Sequence, residues 1–191
     1  MENISISSER SRVFLVGVLI SALLYSALFF FNDLLTETVK YDLGVSWIYL
    51  PAGLRLFLIL IFGLSGAIGI AAASFTISYF GVFQADLLTC SGIGLISGFA
   101  PLLAKWVVVS NIPINNDLSN LSMQKIILCI VIYALMSSGF HQYWFVLRDL
   151  ESGSINHFLV MFIGDVAGSI LLIALIKYGI DLMRRGVPRG S

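Results

Sequence analysis

The stretch VSWIYLPAGLRLFLILIFGLSGAIGIAAASFTISYFGVF, residues 45–83, carries one charged side chain, Arg55, and its reading decides the fold. A membrane-spanning helix needs about 20 mostly apolar residues, so the stretch is too long for one span. Gly63-Leu64-Ser65-Gly66 is where it is expected to break, giving spans near 47–63 and 65–82. Each should be helical, because a backbone in lipid must satisfy its polar groups within the segment.

Outward from this stretch the pattern repeats. Residues 13–31 form an uncharged run, too long for a signal-peptide core and read as an uncleaved first span. Further spans are expected near 86–109, which contains Pro101, near 123–143 and near 156–182. Polar connections separate them: 32–44 with Asp33, Glu37, Lys40 and Asp42; 110–121, rich in asparagine and proline; and 148–154. The expected fold class is all-α, a polytopic transmembrane helix bundle of about six spanning helices. Residues 1–12 would form an N-terminal tail, 13–183 the six-helix domain, and 184–191 a C-terminal tail. The last five residues, 187–191, read as the remnant of an engineered protease site.

Composition agrees. Of 191 residues, 12% are charged and 58% hydrophobic, with mean hydropathy +0.95, against about 25% charged in a soluble domain. Eleven basic and eleven acidic side chains cancel, which leaves no basic surface for nucleic acid. Cys90 and Cys129 both lie in apolar stretches and read as small buried hydrophobes. No HExxH, phosphate-cradling loop or nucleophile elbow is present. The expectation is a non-enzyme with no cofactor and no metal.

Lysine and arginine set the orientation. With six spans, Arg10, Arg12, Lys105, Lys125, Lys177, Arg184 and Arg185 fall on one side, opposite the acid-rich 33–42 connection. Both termini are therefore expected in the cytoplasm, in a bacterial-type inner membrane. Small residues crowd the third and fourth spans (Gly66, Gly69, Gly94 and Gly98 among them) and allow close helix approach, within one bundle or between two copies.

Ionisable residues inside spans are functional-site candidates by default. Arg55 lies eight residues past Trp47 and Asp165 nine past Asn156; both spans are entered from the outer side, so both charges sit about 12–14 Å below it. Opposite charges at one depth are expected to pair, since either alone carries a desolvation cost. Such a pair would clip two helices together or line a polar cavity. Trp47, His141 and Trp144 cluster in the same outer half and would surround the mouth of an outward-facing pocket, or would form an interfacial aromatic belt. Pro51-Ala52-Gly53 suggests that the second helix begins only at Pro51, with Trp47–Leu50 extended at the interface and free N–H groups facing that pocket, or that the helix kinks there.

Two patterns occur together: Trp47-x-x-x-Pro51-Ala52-Gly53-Leu54, and Gly164-Asp165-x-x-Gly168 in the last span. Over about 45–175 the chain resembles the membrane-associated sensor domain of the MASE type. Trp47 stands further from Pro51 than in that family, the bundle is shorter, and no output domain follows. The resemblance implies a sensing or recruiting module acting through a separate partner, and it singles out Trp47, Pro51, Gly53, Gly164, Asp165 and Gly168. The expected function is a sensor-like membrane module that binds a small ligand or a membrane or cytoplasmic partner protein through its outer half. Six-helix substrate-binding subunits of energy-coupling-factor transporters match in size and span number, and a structural or assembly subunit of a larger membrane complex is the third alternative.

Overall fold

The computed structural model describes residues 2–42, 44–82, 86–111, 123–151 and 153–186. Most of the connection expected at 110–121 and all of 187–191 lie outside the described residues. Six α-helices follow one another: α1 (Glu2–Leu35), α2 (Leu50–Phe62), α3 (Leu64–Ile77), α4 (Leu87–Asn111), α5 (Met123–Leu147) and α6 (Ile155–Gly186). A π-helical turn, Ser78–Val82, prolongs α3. The polar segment expected as a tail is continuous with α1.

Five helical segments are long and apolar enough to cross a membrane: Glu9–Leu35, Leu64–Gly81, Leu87–Val108, Met123–Leu147 and Ile155–Met183. The sixth, α2, has 13 residues and is about 20 Å long, shorter than the hydrocarbon core of about 30 Å. Its first turns are replaced by an extended strand. A two-stranded antiparallel hairpin, β1 (Lys40–Asp42) and β2 (Val45–Ser46), turns through Gly44 (φ 73°) and delivers residues 45–49 along α6. The hairpin was not expected from the sequence.

Non-helical backbone survives at this depth only when protein satisfies it. Tyr49 N–H donates to Gly164 O at 3.1 Å, and Leu50 N–H donates to Asn32 Oδ1 at 2.9 Å. Asn32 Nδ2 in turn donates to Thr36 Oγ1 at 3.1 Å. Pro51 in the first turn has no donor to satisfy. Helix two thus starts at Leu50, close to the expected position. Its first donors are already spent: Leu50 on Asn32, Ala52 on Tyr49 O at 3.1 Å.

At its other end α2 stops at Gly63, where φ 57° and ψ −124° suit glycine. The chain reverses there, and a methyl group on Gly66 would stand 2.9 Å from Leu58 O. Lys105 of α4 donates to Ile59 O (3.1 Å) and Leu60 O (3.4 Å), carbonyls of α2's last turn. Lys105, one of the basic residues that set the expected orientation, thus has a helix end to cap.

α2 packs against all five other helices. Ala52, Leu56, Leu58 and Ile59 are buried on it, while Phe57 and Ile61 face outward. Around it the remaining helices run α1, α3, α4, α5, α6, neighbour against neighbour. The hairpin caps one end of this bundle; the Gly63 turn lies at the other.

Candidate functional site

Arg55 stands buried in the middle of the bundle, 4% exposed, on the second turn of α2. Its Nη2 donates to the hydroxyls of Tyr25, from α1, and of Tyr49, the latter at 3.0 Å. Both rings also flank the guanidinium, with centroids 5.0 and 5.2 Å from Cζ, within cation–π range. The two hydroxyls lie 3.1 Å apart. Arg55 Nε and Nη1 have no hydrogen-bond partner among the described residues.

Asp165, on α6, is completely buried; neither carboxylate oxygen has a partner at hydrogen-bond geometry among the described residues, and the Ser137 hydroxyl of α5 lies near enough to act on it. Tyr133 OH and Ser137 Oγ on α5, and Ser169 Oγ one turn along α6, are buried and unpartnered too. Arg55 and Asp165 are near enough for each to act on the other electrostatically. The contact expected between them is nevertheless open, because the guanidinium turns its Nη2 edge to the two tyrosines. Buried polar groups are normally satisfied, so this interior carries unspent donors and acceptors from three helices.

A second polar chain crosses the bundle beside it. His141 Nδ1 lies 2.8 Å from Ser137 O, and Nε2 lies 3.4 Å from Ser97 Oγ. A carbonyl can only accept, so Nδ1 carries the proton and Nε2 accepts from Ser97. Ser74 Oγ donates to Ser97 at 2.8 Å, which links α3, α4 and α5.

Between these groups and the hairpin lies a cavity of about 860 Å³. Arg55, Ser97 and His141 bound it at depth, Phe29, Ile77 and Phe145 along its walls, and Asp33, Lys40 and Asp42 at its rim. The rim is pinned twice. Lys40 pairs with Asp33 of α1, and His157 Nε2 of α6 lies 2.7 Å from Asp42 Oδ2. Tyr41 sits between Trp47 and His157 in edge-to-face contacts of 6.0 and 5.2 Å.

Of the residues singled out from sequence, Arg55 and His141 line this cavity. Asp165 lies beyond its wall, and Trp47 reaches the rim only through Tyr41. Trp144 points elsewhere: its indole N–H donates to Thr89 O at 3.0 Å on α4, against Gly92. An indole N–H needs a partner, and the α4 backbone supplies it. Pro51, Gly53, Gly164 and Gly168 are brought together. A methyl group on Gly164 would strike Ser46 O and one on Gly168 would strike Tyr49 O, while Gly53 lies against the Ser169 backbone.

The sequence reading did not assign Tyr25, Tyr133, Ser137 or the Ser74–Ser97 pair. The available signal was a phenol deep inside an otherwise apolar span, as at Tyr25 and Tyr133, since such a hydroxyl requires a partner there. Outside the spans, Asp86 fixes the start of α4 to the end of α5. It accepts from Thr89 Oγ1 (2.6 Å) and Arg148 Nη2 (3.0 Å), and the Thr89 bond first, then Arg148, hold its carboxyl at about 2.

Fixed polar groups at one end of a cavity with a mainly apolar surface make a binding geometry. The chain matches no family model, no curated protein and no solved structure.

Proposed function

We propose that this chain is a sensor-like membrane module that holds a small ligand in the cavity above Arg55 and passes its occupancy to a partner protein. The observation that carries the reading is Arg55 itself: a buried cation on the wall of an 860 Å³ cavity, with two nitrogens unspent and an equally unspent carboxylate, Asp165, behind it. A pair serving only to clip α2 to α6 would be closed, with each charge satisfying the other. Here the glycines of α6 join these elements instead. That favours a site over a clip, and over a purely structural subunit.

The same reading gives the chain six membrane-inserted segments, α2 and its extended lead-in together making one of them. The helix 50–62 covers about 20 Å, and residues 45–49, which lead into it from the hairpin, lengthen the segment. The basic residues Arg10, Arg12, Lys105, Lys125 and Lys177 all fall toward the Gly63 end, and the acids Asp33, Glu37, Asp42 and Asp86 toward the hairpin end. The positive-inside rule then puts the hairpin outside and both termini in the cytoplasm, as in a bacterial inner membrane. The reading carries the resemblance to MASE-type sensor domains with it; in this chain the two patterns, Trp47–Gly53 and Gly164–Gly168, lie in contact.

The test is a thermal-stability screen of the purified chain in lipid nanodiscs against a library of small metabolites. The reading expects at least one compound to stabilise the parent and not Arg55→Ala or Tyr49→Phe. It fails if no compound separates parent from variants.

A further inference from the structure

We infer that the cavity takes a membrane-dissolved amphiphile whose polar end is a hydrogen-bond-accepting oxygen, a carboxylate or a quinone-type carbonyl, admitted sideways between α1 and α3. The inference rests on the reading of the cavity as a ligand site and names the class of ligand.

The polar end follows from counting protons. Tyr25 and Tyr49 own two O–H hydrogens, and the contact between their oxygens uses one. Arg55 Nη2 donates to both oxygens and so cannot accept the second. One phenolic proton is therefore unspent at the cavity wall, which both tyrosines form. Donation from a cation into a hydroxyl oxygen strengthens that hydroxyl as a donor in turn. The group that fits is an acceptor oxygen. An ammonium would bring only more donors, beside a guanidinium.

The apolar body follows from the walls. Phe29, Phe30, Ile77, Phe80, Ile93 and Phe145 surround the space above the polar end, and a water-soluble ion would leave them unfilled. The route follows from exposure. Phe30 of α1 is 58% exposed and Phe80 of the π-turn 75%, yet both border the cavity. Thr76, one turn before Phe80, is also exposed and borders it. Residues on the outward faces of two apolar helices can border an internal space only where that space reaches the outside between them. Exposed residues border the cavity at the hairpin end as well, but there the Lys40–Asp33 and His157–Asp42 pairs tie the rim down and line it with charge, which disfavours an apolar tail.

The experiment uses the full chain in lipid nanodiscs with radiolabelled laurate, which has chain and carboxylate. Decylubiquinone competes with chain and carbonyl, dodecane with chain alone, and benzoate with a carboxylate and no chain. Laurate is expected to bind saturably, one per chain, and to be displaced by decylubiquinone or excess laurate but not by dodecane. Either hydroxyl alone would still leave one phenolic proton unspent, so the double change Tyr25→Phe with Tyr49→Phe is the one that should weaken laurate about tenfold, the loss of one hydrogen bond to a charged group. Thr76→Trp, which plugs the seam between α1 and α3, should slow laurate entry and leave benzoate unchanged. Laurate uptake equal to protein-free nanodiscs, or insensitive to the double change Tyr25→Phe with Tyr49→Phe, overturns the ligand class. Thr76→Trp without effect on laurate entry overturns the lateral route. If laurate and decylubiquinone fail while a water-soluble compound stabilises the parent and not Tyr49→Phe, this inference falls and the ligand site stands. If no compound does so, both fall.

Discussion

Tyr49 donates its backbone N–H to the carbonyl of Gly164 at 3.1 Å, so an extended strand, and not the side of a helix, lies on α6 one residue from Asp165. The two glycines one turn apart on α6 make the bed for that strand, because Ser46 O and Tyr49 O occupy the places their side chains would take. A methyl group at either must push the strand away and break the Tyr49–Gly164 bond. Gly164→Ala and Gly168→Ala should each destabilise the chain by about 1–3 kcal/mol, the usual cost of overpacking. Gly179→Ala, where nothing lies within 4 Å of the added atom, should cost nothing. Unfolding in mixed detergent reads all three, and equal effects at Gly168 and Gly179 would refute the bed.

The open Arg55–Asp165 relation predicts a particular non-additivity. Removing either charge leaves the other buried without compensation, so Arg55→Met and Asp165→Asn should each cost about 3 kcal/mol. The double variant should cost less than the sum, with a coupling of about 1 kcal/mol, because the charges act through space and share no hydrogen bond. A closed ion pair would couple more strongly, and independent sites not at all. A double-mutant cycle on unfolding free energy separates the three outcomes.

Much of this arrangement was legible in the sequence. Long apolar runs announce themselves by composition, and the break was visible because Gly63-Leu64-Ser65-Gly66 falls inside a run too long to be one span. Arg55 and Asp165 stood out for the same reason, as charges with nowhere polar to go. Pro51 also marked residues 47–50 as a non-helical lead-in, close to the start observed at Leu50. What stayed hidden was the hairpin before it and the partners that hold the lead-in, Asn32 from α1 and the Gly164 carbonyl from α6, which no local pattern reveals. Trp144 illustrates the converse. Its place near the end of α5 suggested the pocket mouth, but the direction of its ring is set by a carbonyl on α4 that no local pattern reveals.

Lys105 offers a test of how α2 is held. Its ammonium serves two carbonyls at the helix end: Ile59 O, which also accepts from Gly63 N–H at 3.0 Å, and Leu60 O. Lys105→Met keeps the length of the stem and removes the donor. It should destabilise by about 1–3 kcal/mol, the cost of one acceptor, Leu60 O, left unpaired. Lys105→Arg should recover part of the loss, since it retains charge and donors. If Lys105 only reached for the membrane surface, Lys105→Met would be close to neutral by the same unfolding assay.

Acid sensitivity at the hairpin end should trace in part to Asp86. Its carboxyl titrates at about 2 in the folded chain, held down first by the Thr89 hydroxyl and then by Arg148. In the unfolded chain an aspartate titrates near about 4. A group whose folded value is the lower one adds stability that is complete above the unfolded value and is lost as pH falls through the folded one. Asp86 therefore contributes in full at neutral pH and progressively less between about pH 4 and 2. The parent should lose more melting temperature across that window than Asp86→Asn, and the difference between the two curves should vanish once pH drops below the folded value. Arg148→Gln removes the second cause and keeps the first, so the Asp86 carboxyl resonance, followed by NMR, should titrate above its parent value yet still below an ordinary aspartate. A full return to the ordinary value in Arg148→Gln would mean that the ion pair, and not the Thr89 bond, fixes this corner.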